Sequence, residues 1–391
     1  MSAADAMRLV HLADLHLGKR QFERTTARGL NVRELDVAQT FRRHVDAILA
    51  LAPDIVVVAG DCFDTVRPSN VTLDFALQQF ARLTAAVPHV IVAAGNHEMP
   101  RTAGTGSPVR LLRTVGVLVA EQPERFQCGR CRVFAVPDNR AAYPELLPVR
   151  DGDAEFDVLV LHAALRGTIP GDVVVQREML GAEDLFAEAW DYIALGDYHQ
   201  QAEIYPNAWY SGAIDYTSSN PWAEIGTPKG FRVVDLATEE QVFVPIEPMR
   251  RYIDLPALSA HGLSAAELDA AIAQRVTDCP GGIDGAVVRL VVTDCDPVLG
   301  RSLDHAALRE YEKRALHFRF DRRVPQRVGV RASLSPGQRP SLTSRVSEYI
   351  DRIEAPDVNK GDLLALALSY LERAGEDAAD VERVYAMVGV A

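Results

Sequence analysis

"DYIALGDYHQQ", residues 191–201, is an apolar run that stops at Gly196 and continues into an acid, an aromatic residue and a histidine. A short apolar run bounded by turn residues reads as a buried strand. The same punctuation occurs upstream in "RLVHLADLHLG" (8–18), "DIVVVAGDCFD" (54–64), "HVIVAAGNHE" (89–98) and "DVLVLHAA" (157–164). Helical patterns around residues 34–52 and 69–86 separate several of these runs. Strands apolar on both faces and alternating with helices imply an α/β fold with a covered sheet.

Each strand ends in residues that can hold a metal: Asp14 and His16, then Asp61, Asn96 with His97, His162, and finally Asp197 with His199. Open α/β sheets gather their sites at strand carboxyl ends, so these side chains are expected to converge. Glycines precede Asp61, Asn96 and Asp197 and permit tight turns and close backbone approach. Carboxylates, an amide and imidazoles together suit two divalent cations. Such a pair clamps a phosphoryl group and activates a water against it. A lone histidine at a strand end is ordinarily a packing or capping residue; the ordered set of five is specific.

The rest of the chain bounds the function class. Its 391 residues allow two or three domains, and 48% hydrophobic with 24% charged residues is ordinary for a globular protein. No apolar run reaches the roughly 18–20 residues of a membrane span, and the N-terminus lacks the basic and apolar regions of a signal peptide. Five scattered cysteines fit a reducing cytoplasm, the expected location, better than a disulfide framework. A formal charge of −13 argues against a broadly basic surface, although Lys313, Arg314, Arg319, Arg322, Arg323, Arg327 and Arg331 form one basic stretch. That stretch reads equally as a solvated face or as a phosphate-contacting strip.

Composition also marks the boundaries. After "VPIEPMRRY" (244–252) a smaller unit follows, with a capping box at Ser264 and Glu267 opening a helix. "SLSPGQRPS" (333–341) is a linker, and the remainder is helical, with Leu342, Val346, Tyr349, Ile350 and Ile353 on one face and "DLLALALSYLERA" (362–374) as a second helix. The expected units are residues 1–248, 249–332 and 333–391.

In order and content these motifs, with the later "WYSGAIDY" (209–216) and "TPKGF" (227–231), resemble the calcineurin-like metallophosphoesterases, in particular their SbcD-like DNA double-strand-break repair nucleases. The resemblance covers about residues 8–235 in motifs and the rest in layout. It implies a two-sheet sandwich flanked by helices, a small α/β capping domain, and C-terminal helices that bind an SbcC-like SMC-family ATPase. It implies a Mn²⁺-dependent DNA exonuclease and endonuclease, homodimeric, with Mg²⁺ as the alternative ion. Asp14, His16, Asp61 and His199 would hold one ion; Asp61, Asn96, His162 and Asp197 the other. His97 would be catalytic, with Glu98 orienting its imidazole and Asp64 facing substrate or capping a helix. Position 197 departs from the family, which has histidine there. The alternative function is a stand-alone phosphodiesterase for small nucleotides or other phosphate esters; a third is a non-catalytic subunit.

Several residues read as structural. Cys128 and Cys131 in "FQCGRCRVF" suggest a hairpin tip rather than a zinc knuckle. Cys62 and His11 read as packing residues. Arg20, Arg24 and Arg28 read as a solvated loop, with DNA-backbone contact as the alternative.

Overall fold

The apolar runs form strands whose alternate residues face opposite ways. In the computed structural model, which describes residues 6–100, 105–138, 154–166, 180–324, 346–347, 350 and 359–370, they assemble into two six-stranded sheets and one of three strands. Strands β1 (Arg8–Leu12), β2 (Ile55–Ala59), β3 (His89–Ala93) and β4 (Leu118–Ala120) run parallel in one sheet. β5 (Glu124–Cys128), β6 (Cys131–Val136), β7 (Phe156–His162), β8 (Tyr192–Gly196), β9 (Ala202–Tyr205) and β10 (Ala208–Tyr210) form the second, in the order β5-β6-β7-β8-β10-β9. β11 (Gly230–Asp235) returns to pair antiparallel with β1, and β12 (Gln241–Pro245) closes that edge. The expected two-sheet α/β sandwich is the fold observed.

Alternation explains the layers. Ile55, Val57 and Ala59 of β2 meet Val133, Val158, Val160 and Ala194 between the sheets. Val56 and Val58 face the other way, packing with Phe41 and Val45 of α1 (Val32–Leu51) and Phe80 of α2 (Asn70–Ala86). Asn31 and Ser69 cap these helices by accepting bonds from backbone amides of the first turn. His11 sits between the sheets with 0% exposure, accepting from the Tyr192 hydroxyl and donating to the Leu195 carbonyl. Cys128 and Cys131 face each other as the closing pair of the β5–β6 hairpin, both buried and free.

β13 (Tyr252–Ser259), β14 (Val287–Thr293) and β15 (His317–Arg322) form the three-stranded parallel sheet, covered by α3 (Ala265–Thr277), α4 (Pro297–Arg301) and α5 (His305–Arg314) around a hydrophobic cluster of their own. The Ser264–Glu267 capping box is formed as expected. The loop after β1 is tied to this part: Phe22 stacks on His317, and Arg24 donates to the carbonyls of Glu312, Lys313 and Ala315 at the end of α5. Arg20 pairs with Glu34. Arg20, Arg24 and Arg28 are all exposed, in keeping with a solvated loop, and Arg20 and Arg24 also find partners within the protein. Within the basic stretch, Lys313 pairs with Glu310, Arg314 with Asp284 and Arg323 with Asp321; Arg327 and Arg331 lie outside the described residues.

The chain divides into two compact units, residues 1–325 and 326–391. In the second unit residues 360–370 are helical, covering the front of "DLLALALSYLERA", with Leu366 and Tyr370 exposed. Leu342, Tyr349 and Ile353 lie outside the described residues, as does the 333–341 linker. Among the described residues no helix is long and apolar enough to cross a membrane.

Candidate metal centre

The site forms where five parallel strands stop. Past the last ladder bond of β1, β2 and β8 the chain turns sharply, and Asp14, His16, Asp61 and Asp197 all take positive φ, between 46° and 92°. Side chains rarely adopt this conformation, and it persists where surrounding structure over-determines it, commonly at functional sites. Here cross-strand bonds supply the restraint: the Asp14 amide donates to the Gly60 carbonyl at 3.1 Å, His16 to Asp61 at 2.9 Å and Leu17 to Cys62 at 2.9 Å. Two glycines are required sterically. A Cβ at Gly60 (φ +86°) would overlap the His162 ring, and one at Gly196 would overlap the Ala59 carbonyl.

Two of the resulting donor groups share Asp14. Asp14, His16 and His199 lie together, with the Nε2 atoms of the two imidazoles 3.1 Å apart. Asp14, Asp61 and His162 form the other group, and Asn96 Oδ1 approaches His162 Nε2 at 3.0 Å. Asp197 joins this group, its Oδ1 3.6 Å from His162 Nε2, while its amide donates to both Asp14 oxygens. Asp61 is central: its Oδ2 is 3.6 Å from His16 Nε2 and 3.5 Å from His162 Nε2, and its Oδ1 accepts from the His97 amide.

These contacts test whether divalent ions fit. The His162 Nδ1–H donates to the Ala59 carbonyl, which directs Nε2 and its lone pair inward. Burial penalises charge on His162, but the facing Asp61 and then Asp197 and Asp14 raise its pKa well above the ordinary value. Burial raises Asp14 well above the usual carboxylate range, whereas Asp61, despite burial, is held below that range by His162, His16 and His97. His199 is pushed down by burial and then by His16 and Lys229, so it is neutral and offers a lone pair. Asn96 points its oxygen at acceptors only; turned over, its nitrogen would donate to Asp61, His162 and Asp197. Imidazole nitrogens head to head and three converging carboxylates are relieved by positive charge between them. The donor set fits divalent cations that accept oxygen and imidazole ligands.

His97 stands at the rim with 37% of its side chain exposed. Its Nδ1–H donates to the Asp64 carbonyl at 2.9 Å, leaving Nε2 toward the open side and 4.0 Å from Asp61 Oδ2. The sequence-based expectation that Glu98 orients this ring is corrected here. Glu98 is fully buried, and its carboxylate accepts from the amides of Cys62 and Phe63, bracing the turn after Asp61. Burial and the neighbouring Asp61 push Glu98 up to about 8. The Asp64 carboxylate contacts His16 Nδ1 at 3.2 Å and Lys19 Nζ at 3.0 Å. It is 14% exposed and, with His16 and His97, makes a third cluster of possible metal ligands. Cys62 is buried beside it.

An open cleft of about 690 Å³ adjoins the centre, with Lys19, His97, Tyr198, Thr217, Ser219 and Asn220 among its lining residues. Sequence reading left the 217–220 wall unassigned, together with Glu224 and Lys229 beneath it. A Pro-Lys-Gly before a strand, as in "TPKGF", reads locally as a turn and carries no sign of a buried ion pair.

The calcineurin-like phosphoesterase family model matches residues 7–201, which carry every one of these donors. The chain belongs to that family, and its first part is a phosphoesterase domain. Among curated proteins it is similar to the DNA double-strand break repair protein Mre11 of Methanocaldococcus jannaschii, 30% identical over 255 residues, covering 62% of this chain and 66% of that protein. It is likewise similar to the Mre11 proteins of Methanopyrus kandleri (30% identical, 49% of this chain, 44% of that protein) and Sulfurisphaera tokodaii (27%, 49% and 48%). The chain thus spans between 44% and 66% of the length of these relatives.

Proposed function

We propose that the protein is a Mn²⁺-dependent DNA nuclease that hydrolyses phosphodiesters as exonuclease and endonuclease during double-strand-break repair. The observation that carries this reading is the Asp61 oxygen set between His16 and His162, with His97 beside it at the rim of an open cleft. The similarity to DNA double-strand break repair proteins supports DNA as the substrate. Asp14, His16, Asp61 and His199 would hold one ion, and Asp61, Asn96, His162 and Asp197 the other. When bound, such ions polarise the phosphoryl oxygens and make an attacking water more acidic. His97 donates a proton from Nε2 to the phosphoryl or leaving oxygen, with Nδ1 held by the Asp64 carbonyl.

Residues 1–248 form the nuclease domain and residues 249–332 the cap in this reading. Residues 333–391 carry helices that bind an SbcC-like SMC-family ATPase, the enzyme working as a homodimer in the cytoplasm. Incubation of end-labelled linear DNA with Mn²⁺, alone and with the ATPase, is expected to shorten the label. Intact DNA in both reactions, with hydrolysis of a small phosphodiester such as bis(p-nitrophenyl) phosphate, would establish the small-ester reading instead.

Asp197 makes a separate prediction. A carboxylate where the family has histidine adds negative charge and an oxygen donor, favouring hard ions over Zn²⁺. Asp197→His is expected to raise activity with Zn²⁺ relative to Mn²⁺; identical metal profiles for the two proteins would refute this.

A further inference from the structure

His199 is held at both ends by a buried cluster that the proposed chemistry does not use. Its Nε2 faces His16, so Nε2 is the ligating atom and Nδ1 is turned away. Nδ1 meets the Thr217 hydroxyl at 3.3 Å, with Glu224 Oε1 behind at 3.9 Å. The Thr217 hydroxyl contacts the Asp215 carbonyl at 3.5 Å, so it donates there and accepts from the imidazole. The other Glu224 oxygen pairs with Lys229 Nζ, and that ammonium donates to the His199 carbonyl at 2.9 Å. The ring is thus flanked on its Nδ1 side by the Thr217 hydroxyl and the Glu224 carboxylate, and that carboxylate holds the ammonium that binds the backbone of the same histidine.

Thr217, Glu224 and Lys229 are only 1–2% exposed. Glutamate and lysine are seldom buried so completely, and their desolvation is tolerated only with close pairing. Stability alone is a poor reason for such a pair, because apolar residues of the same volume commonly serve as well. Orientation of a ligand is a better one. A histidine that binds a metal through one nitrogen generally donates its other N–H to an oxygen, which fixes tautomer and ring angle. Glu224 Oε1 also accepts from the Ser218 amide at 3.3 Å, so the same carboxylate secures the cleft wall that begins at Thr217.

We infer that Thr217, Glu224 and Lys229 are positioning residues that hold His199 in its metal-ligating tautomer and lock it to the substrate wall of the cleft. The inference rests on the divalent-ion reading of the centre but not on DNA being the substrate.

The test is Mn²⁺ titration of the full-length protein, followed by the electron paramagnetic resonance signal of free Mn²⁺. Thr217→Val, Thr217→Ser and Glu224→Gln are compared with wild type, with melting temperatures taken in EDTA. Thr217→Val removes the hydroxyl at nearly constant volume and is expected to weaken one Mn²⁺ site about 10- to 100-fold. Thr217→Ser restores wild-type affinity, and the EDTA melting temperature of Thr217→Val stays close to wild type. Glu224→Gln is expected to weaken the same site; if it fails to fold, the two Thr217 variants decide. Unchanged affinity in Thr217→Val, or equal loss in Thr217→Ser, would overturn the inference. Wild type that binds Mn²⁺ but leaves DNA intact would defeat the nuclease reading and leave this inference standing. Wild type that binds no Mn²⁺ would defeat both.

Discussion

Replacement of His97 by alanine is expected to lower Mn²⁺-dependent hydrolysis of linear DNA by about 10²- to 10⁴-fold, the range that a positioned general acid contributes. Metal affinity is expected to stay near wild type, because His97 stands at the rim outside the proposed ligand set, with its Nε2 4.0 Å from Asp61 Oδ2. That separation distinguishes a proton donor from a ligand. His97→Asn is the control, since it keeps a polar side chain and cannot deliver a proton at neutral pH. Single-turnover digestion with saturating Mn²⁺ is the measurement. Activity within a few-fold of wild type in both variants would remove His97 from the chemistry, and a parallel loss of Mn²⁺ binding would make it a ligand.

The second large effect concerns stability. Arg33, at the start of α1, has no exposed surface and pairs with Asp215, equally buried, at 3.0 Å. Thr40 donates to the other Asp215 oxygen at 2.8 Å, and the guanidinium lies 5.3 Å from the Tyr252 ring centroid. Burial disfavours the charge on Arg33, but Asp215 more than compensates and raises its pKa above the ordinary value. Removing one partner of a buried pair strands the other charge and costs about 3–5 kcal/mol. Arg33→Ala is therefore expected to lower the melting temperature by about 10 °C. Asp215→Asn, which leaves an amide oxygen for Arg33 and Thr40, should lose distinctly less. Equal melting temperatures for Arg33→Ala and wild type would show that the pair is dispensable. Asp215 lies two residues before Thr217, so the pair also anchors the segment that reaches His199.

The strand ends and their ligand-type residues were legible because each motif is local. An apolar run, a glycine and a metal-ligand residue within ten positions need no tertiary information to be noticed. Which sheet each run joins was not legible, since β2 and β8 share the signature and separate only through pairing across distant chain. Arg33 and Asp215 stand 182 residues apart, and nothing near either signals the other. Glu98 misled for the opposite reason. It adjoins His97 in sequence, but the turn directs its carboxylate beneath Cys62 and Phe63 rather than toward the imidazole. Arg20 and Arg24 read as a solvated loop and are exposed, but their partners Glu34 and the end of α5 lie too far along the chain to be foreseen. Adjacency reveals chemistry well and direction poorly.

The left-handed backbone at Asp14, His16, Asp61 and Asp197 has an evolutionary consequence. Each such residue works against folding by about 1 kcal/mol, and glycine would relieve most of it. Mutations that make the fold firmer are thus available at the very positions whose side chains the proposed site needs. Selection for a durable protein and selection for a working one pull these four residues in opposite directions, and their side chains survive only while the second prevails.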